Sequence, residues 1–168
     1  RIESRGLGDV YKRQILIIHD KDIAFDIKEY CGSCKTYSVK NVERTMALLS
    51  KKYFGVKTKN FKIYGVTGTN GKSSVTNYIA QLQNLNKKKC ALIGTLGNGI
   101  YPNLKYSAHT TPNIIKVNEQ ISNFQKRKVK NLSLEVSSHG LKQNRILGIE
   151  FDTTIFTNLS QDHLDYHK

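Results

Sequence analysis

The sequence has few cysteines, few acidic residues and no long apolar run. Three cysteines in 168 residues are too few for a disulfide framework. No apolar stretch approaches the length of a membrane-spanning helix, and no signal-peptide pattern opens the chain. These absences argue against a disulfide-stapled secreted domain and a membrane protein. We therefore expect a protein of the reducing cytoplasm.

Acidic side chains are outnumbered, with 13 Asp and Glu against 27 Lys and Arg and a net charge of +14. Such an excess raises the possibility of a basic nucleic-acid-binding protein, which would bind DNA with a steep salt dependence. However, the lysines are scattered along the chain, and no aromatic residues alternate with them as base-stacking surfaces require. We interpret the charge as a solvated basic surface that favours anionic ligands, and we expect no nucleic-acid partner.

The cysteines at positions 31 and 34 have the spacing of half a zinc site or of a redox pair. Zinc would need two further ligands at suitable spacing, and none stand nearby. We interpret Cys31 and Cys34 as structural bystanders.

Hydrophobic patterning divides the chain into three parts. Residues 1–14 have no clear period and are interpreted as a processing or cloning leader. Residues 15–60 contain two predicted strands, at 15–18 and 36–39, and a predicted helix over 42–53. From residue 61 onward predicted strands and helices alternate, which predicts an α/β fold with a parallel sheet and flanking helices.

Apolar stripes predict the buried faces of the helices. In the helix over 42–53 the expected stripe is Val42, Met46 and Leu49, and in the helix after residue 71 it is Val75, Ile79, Leu82 and Leu85. A third helix is expected to start with Thr111 as its cap and Pro112 in its first turn, followed by the stripe Ile114, Val117, Ile121 and Phe124.

Residues 65–74 read Gly-Val-Thr-Gly-Thr-Asn-Gly-Lys-Ser-Ser, between a strand pattern and a helix pattern. This context is typical of a phosphate-binding loop, although the first glycine of the general pattern is absent. Backbone N–H groups of a glycine turn and a helix start can surround a phosphate. Lys72 can reach the outer phosphates, and Ser73 can ligate magnesium. The predicted nucleotide-binding residues are Gly68, Thr69, Asn70, Gly71, Lys72, Ser73 and Ser74.

Two further polar groups follow predicted strands, where ligands bind to parallel sheets. Glu135 lies near the end of an apolar strand and is costly to bury without a partner. Magnesium held by the phosphate loop is the favoured partner, with a lysine or plain solvent exposure as alternatives. His163 follows the strand at 153–157 and is a possible ligand for a divalent ion.

Four stretches occur here in an order that resembles the Mur ligases. They are Gly-Val-Thr-Gly-Thr-Asn-Gly-Lys-Ser (65–73), His-Thr-Thr-Pro (109–112), Glu-Val-Ser-Ser-His-Gly-Leu (135–141) and Asn-Leu-Ser-Gln-Asp-His-Leu-Asp-Tyr-His (158–167). The likeness is strongest to the members that add the third residue of the peptidoglycan peptide. A relative of the folylpolyglutamate synthases, or a nucleotide-binding module without ligase activity, is the alternative.

The resemblance implies a domain plan. Residues 15–60 would be the tail of a UDP-binding N-terminal domain, and residues 61–168 the first half of an ATP-binding central domain. The implied enzyme, a monomer at full length, uses ATP and Mg²⁺ to join diaminopimelate or lysine to UDP-N-acetylmuramoyl-L-Ala-D-Glu through an acyl phosphate. The present chain is expected to be a fragment that is inactive alone.

The resemblance also implies roles for individual residues. Lys72, Glu135 and His163 would be catalytic, and Ser73, Glu135 and His163 would hold magnesium. The UDP-muramoyl peptide would be contacted by Thr110, Thr111, Ser137, Gln143 and Arg145.

Overall fold

The computed structural model describes residues 16–22 and 34–161, and the chain divides into two compact units between Met46 and Ala47. In the first unit, strands β1 (Leu16–Asp20) and β2 (Lys35–Val39) pair in parallel. Helix α1 (Val42–Tyr53) begins where Asp20 Oδ1 accepts a hydrogen bond from the backbone N–H of Val42 at 2.8 Å. The leader expected at 1–14 lies outside the described residues, and the domain boundary near residue 60 stays a prediction.

The second unit contains a six-stranded sheet in the order β6-β5-β4-β7-β3-β8. Its strands are β3 (Lys62–Thr67), β4 (Cys90–Gly94), β5 (Gly97–Ile100), β6 (Asn103–Lys105), β7 (Asn131–Glu135) and β8 (Thr153–Phe156). Its helices are α2 (Lys72–Leu85), α3 (Ile114–Lys126) and α4 (Ser138–Lys142).

Strands β4, β7, β3 and β8 are parallel, so the predicted α/β fold with a parallel sheet and flanking helices is confirmed. Strands β5 and β6 extend this sheet in antiparallel fashion, which makes it mixed. Within the described residues, no helix is both long and apolar enough to cross a membrane.

The core lies on both faces of the central strands. All five residues of β4 and all five of β7 are buried. Side chains alternate between faces of a strand, so Ala91 and Ile93 pack with α3, whereas Cys90 and Leu92 pack with Ala80 of α2. Nearly continuous apolar strands are typical of a parallel sheet that is covered on both sides.

Helices α1 and α2 occur where predicted, but each predicted apolar stripe is only partly covered, with Val42, Val75 and Ile79 half-buried. In α2, Thr76 and Ala80 are buried, whereas Leu82 is 59% and Leu85 is 78% exposed. The Ser133 hydroxyl of β7 donates to the backbone carbonyl of Thr76 at 2.9 Å, so helix and sheet are close and small side chains fit between them. In α1 the buried residues are likewise small, Ala47 and Ser50.

Helix α3 starts two residues later than predicted, and Thr111 is not its cap. The cap is Asn113, whose Oδ1 accepts from the backbone N–H of Lys116 at 2.9 Å. Thr111 is fully buried, and its hydroxyl serves the site described below. The predicted stripe of Ile114, Val117, Ile121 and Phe124 is buried, as expected.

Candidate functional site

The phosphate loop joins β3 to α2 at the carboxyl edge of the parallel strands. Gly68 has φ of 132° and Gly71 has φ of 82°, conformations that L side chains rarely adopt. Gly71 caps α2 without any side-chain hydrogen bond. The first N–H groups of a helix have no acceptor within the helix, so here they can bind an anion.

Lys72 is the first residue of α2, and its side chain turns back over the loop. Its ammonium donates to the carbonyl of Gly68 at 2.8 Å and to that of Thr69 at 2.7 Å. A lysine ammonium has three donors, which leaves one for a phosphate oxygen.

Glu135 ends β7 beside this loop and is only 2% exposed. Its Oε1 accepts from the Ser73 hydroxyl at 2.9 Å, and its Oε2 accepts from the backbone N–H of Thr95 at 2.9 Å. None of the ion pairs in the described part of the chain involves Glu135. The carboxylate is therefore buried with hydrogen bonds but without a basic partner, an arrangement that suits a cation.

Gly94, the last residue of β4, and Thr95, which follows it, support this carboxylate and were missed in the sequence. A Cβ at Gly94 would lie 2.7 Å from Glu135 Oε2 and 2.9 Å from Glu135 Cβ, so a side chain has no room there. The Thr95 hydroxyl lies 3.3 Å from Glu135 Oε1 and 2.9 Å from the Thr110 hydroxyl. Their position at the carboxyl end of a buried strand was the signal available in the sequence.

Four of the five residues predicted to bind the muramoyl peptide form the other wall, namely Thr110, Thr111, Ser137 and Arg145. The Thr111 hydroxyl donates to the backbone carbonyl of Glu135 at 2.9 Å and accepts from the N–H of Ser137 at 2.9 Å. Arg145 Nη1 donates to the Thr111 carbonyl at 2.7 Å, and its Nε donates to Gln143 Oε1 at 2.9 Å. Ser137 also caps α4, accepting from the N–H of Gly140 at 3.0 Å.

These two walls enclose a cleft of about 880 Å³. The predicted site residues that line it are Gly68, Thr69, Lys72, Ser73, Thr110, Thr111, Glu135, Ser137 and Arg145. Those that do not line it are Asn70, Gly71, Ser74 and Gln143. His163 and Cys31 lie outside the described residues. The structure thus brings most of the predicted site together, and the roles of the residues stay predictions.

A third segment, which follows β8, completes the rim of the cleft through Leu159, Ser160 and Gln161. Thr157 and Asn158 of the same segment contact the phosphate loop, and the sequence analysis gave neither of them a role. The motif containing His163 drew attention to this segment, but an asparagine side chain does not reveal a partner 88 residues earlier.

The possible ligand atoms around Glu135 suit magnesium better than a metal that prefers nitrogen or sulfur ligands. Across residues 16–22 and 34–161, no three His, Cys, Asp or Glu residues come together as a metal-binding group. The side-chain atoms that contact the Glu135 carboxylate are the hydroxyl oxygens of Ser73 and Thr95. Magnesium takes oxygen ligands, often one or two carboxylates with waters and substrate phosphates, so these residues fit it.

The sequence and the fold are similar to those of known proteins. The model of the Mur ligase middle domain matches residues 66–168. The UDP-N-acetylmuramoyl-L-alanyl-D-glutamate--2,6-diaminopimelate ligase of Chromobacterium violaceum is 41% identical over 130 residues, which are 77% of this chain and 26% of that protein. The ligase of the same name from Pseudomonas aeruginosa is 39% identical over 130 residues, which are 77% of this chain and 27% of that protein.

A solved structure of a ligase of this name superposes with a TM-score of 0.72 at 37% identity, and covers 82% of this chain and 28% of that one. The chain therefore spans about a quarter of the length of the curated relatives that it matches. On its sequence, its fold and the residues around its phosphate loop, the chain belongs to the Mur ligase middle-domain family.

Proposed function

We propose that this chain is part of an ATP-dependent ligase of peptidoglycan synthesis. The ligase would add diaminopimelate, as the third amino acid, to UDP-N-acetylmuramoyl-L-alanyl-D-glutamate. The observation that carries the proposal is the 2.9 Å contact between the Ser73 hydroxyl and Glu135 Oε1. It brings a phosphate-loop hydroxyl and a buried carboxylate together in the cleft that Thr110 and Thr111 also line. The names of the relatives favour diaminopimelate over the lysine that the sequence left open.

The phosphate loop would hold the ATP phosphates. The N-terminal N–H groups of α2 supply donors, and Lys72 supplies a positive charge next to them. This placement leaves the outer phosphate near Glu135 and the opposite wall of the cleft.

Ser73 and Glu135 would hold a magnesium ion, and His163 would hold a second one by resemblance to the family. When bound, magnesium supplies neutralisation of the charge on the transferring phosphoryl group.

Arg145, Thr111 and Ser137 would orient the muramoyl dipeptide so that its free carboxylate faces the outer phosphate. A carboxylate oxygen attacks the γ-phosphorus of ATP, which gives an acyl phosphate and ADP. The amino group of the incoming amino acid then attacks the acyl carbon and loses a proton. The tetrahedral intermediate expels inorganic phosphate and leaves an amide. We place this reaction in the cytoplasm and in a monomeric complete protein, without nucleic acid or membrane as partners.

Acceptor-dependent phosphate release tests this function. The complete protein containing this chain is supplied with ATP, magnesium and UDP-muramoyl dipeptide, with diaminopimelate and lysine in separate reactions. We expect phosphate release and a product heavier by one diaminopimelate residue only when all components are present. Release without an acceptor would instead indicate a nucleotide hydrolase, and release with a folate acceptor would indicate a folylpolyglutamate synthase.

A pair of glutamate variants ties the activity to the proposed site. Glu135→Gln keeps the shape of the side chain and removes its charge, so it is expected to abolish the magnesium-dependent reaction. Glu119→Gln is the matched control, because Glu119 forms an ion pair with Lys116 on α3 and does not line the cleft. Equal activity of the two variants would contradict the assignment of Glu135.

A further inference from the structure

We propose that Asn158, together with Thr157, is a positioning residue for the nucleotide-binding loop. The segment after β8 anchors the first half of the loop, Thr69 and Asn70. The second half, from Gly71 to Ser73, is then left to bind phosphate. This inference rests on the proposed binding of ATP at this loop.

Asn158 makes three hydrogen bonds to the backbone of the loop. Its side-chain Oδ1 accepts from the backbone N–H of Asn70 at 3.0 Å, and its Nδ2 donates to the backbone carbonyl of the same residue at 3.0 Å. Its own backbone carbonyl accepts from the N–H of Thr69 at 2.9 Å. One primary amide therefore satisfies both backbone groups of Asn70, as a neighbouring β-strand would.

Thr157 adds a second connection one residue earlier. Its hydroxyl lies 2.6 Å from the carbonyl of Asn70 and 3.2 Å from that of Thr67, and its backbone N–H donates to Thr67 at 2.9 Å. A Cβ on Gly68 would clash with the Thr157 hydroxyl oxygen. The glycine at 68 thus accommodates the segment after β8 as well as the turn itself.

Ser160 and Thr69 form a reciprocal pair at the outer end of the contact. The N–H of Ser160 donates to the Thr69 hydroxyl at 2.9 Å, and that hydroxyl lies 3.1 Å from the carbonyl of Ser160. The backbone N–H and the hydroxyl of Thr69 are therefore directed to the segment after β8, whereas its carbonyl accepts from Lys72.

The backbone hydrogen-bond donors of the loop fall into two groups with different functions. The N–H groups of Thr69 and Asn70 donate to Asn158 and would have to leave it before they could bind a phosphate. Helix α2 begins at Lys72, so the N–H groups at its start have no acceptor within the helix. We infer that Thr69 and Asn70 fix the shape of the loop. The residues that follow them would donate hydrogen bonds to phosphate.

Calorimetric titration with MgATP tests the role of Asn158 in the purified complete protein that contains this chain. Asn158→Ala removes two hydrogen bonds to Asn70 and is expected to raise the dissociation constant for MgATP about tenfold. Asn84→Ala is the matched control, because Asn84 is an exposed asparagine of α2 away from the cleft, and it should bind like the wild type. An unchanged dissociation constant in Asn158→Ala would overturn the proposal.

A second pair of variants separates positioning of the loop from general stability. Thr157→Val keeps the shape of the side chain without its hydroxyl, and Thr157→Ser keeps the hydroxyl without its methyl group. We expect Thr157→Val to weaken MgATP binding several-fold and Thr157→Ser to bind like the wild type. If the two weaken binding equally, or if Thr157→Val binds like the wild type, the proposal is wrong, whether or not Asn158→Ala folds.

The wild-type titration distinguishes this proposal from the proposed function. A complete wild-type protein that does not bind MgATP would contradict both. Wild-type binding that Asn158→Ala and Thr157→Val leave unchanged would contradict the positioning role alone.

Discussion

Lys72 shapes the loop with the same side chain that is proposed to bind a phosphate. Two of its three donors are used by the carbonyls of Gly68 and Thr69, which fixes the ammonium above the loop. The remaining donor and the positive charge are held where an anion would sit, so little conformational entropy is lost when a phosphate binds.

Replacing Lys72 by alanine is expected to weaken MgATP binding by about 1.5–3 kcal/mol, the usual worth of a hydrogen bond to a charged group. Calorimetry on Lys72→Ala measures this loss, with Lys88→Ala, an exposed lysine after α2, as the control. Equal affinity of Lys72→Ala and wild type would show that the loop does not bind the phosphates.

Cys90 is a buried thiol on β4 that the site does not use. Burial raises its pKa to about 12 from an ordinary value of 9.0. The folded chain therefore keeps this proton at pH values where the unfolded chain has lost it. By linkage, the stability contributed by this difference is present below about pH 9 and is lost as the pH rises towards 12.

Cys90→Ala is therefore expected to reduce the fall in the free energy of unfolding between about pH 9 and pH 11. Urea titrations across that range measure the slope in Cys90→Ala and in the wild type. Burial also raises the pKa of Tyr64, so part of the loss of stability at alkaline pH should persist in Cys90→Ala. An identical slope in Cys90→Ala would contradict the role of this thiol.

At the scale of elements, the sequence predicts which helices and strands form better than it predicts which face of a helix is buried. The apolar stripe of α3 is buried, because this helix packs on a sheet face lined by large side chains. In α2 the same reasoning selects Leu82 and Leu85, which are exposed. The spacing of apolar residues records where large side chains lie, whereas close approach to β7 demands small ones, and that distance is set by tertiary structure.

A polar stripe on α3 holds the chain that leads from α1 to β3. Asn118 donates to the hydroxyl of Ser50, Ser122 donates to the carbonyl of Phe54 at 2.6 Å, and Gln125 pairs with both backbone groups of Lys57. Residues 118, 122 and 125 are spaced for one helix face. The stripe fixes the connector far from the cleft.

Ser122→Ala removes a donor and leaves the Phe54 carbonyl without this partner. We expect a loss of about 1–2 kcal/mol in the free energy of unfolding, and no change in affinity for MgATP. Urea unfolding and calorimetry on the same preparation check both parts. A change in nucleotide affinity without a change in stability would show that the connector communicates with the loop.

At the scale of the whole molecule, the sequence located most of the cleft because its residues follow strands of one parallel sheet. The placement of Ser73, Glu135, Thr111 and Arg145 around one cleft agrees with that reasoning. Thr95 and Asn158 were missed because their importance depends on contacts with distant loops, and no local pattern encodes such contacts.

The net charge of +14 and the edge strand β8 act in opposite directions on self-association. Strand β8 pairs only with β3 among the described strands, and Phe156 on it is 61% exposed, so the edge offers a site for another strand. Repulsion between like-charged copies opposes that pairing and is screened by salt.

We therefore expect the chain to associate more strongly at about 500 mM salt than at about 20 mM. Sedimentation velocity measures this, and Thr154→Lys, which adds a charge to β8, should reduce association at both salt concentrations. Association that weakens with salt would indicate attraction between opposite charges instead.

The hydroxyl of Thr95 has one hydrogen and two acceptors within reach, Glu135 Oε1 at 3.3 Å and the Thr110 hydroxyl at 2.9 Å. A ligand that hydrogen-bonds to the Thr110 hydroxyl would change which of the two acceptors the Thr95 hydrogen points to. It would thereby change the electrostatic field at the Glu135 carboxylate. If the cleft binds the proposed cation and peptide, thermodynamic reciprocity requires each to alter affinity for the other by the same factor. The two walls of the cleft would then be energetically linked through the single hydrogen of the Thr95 hydroxyl.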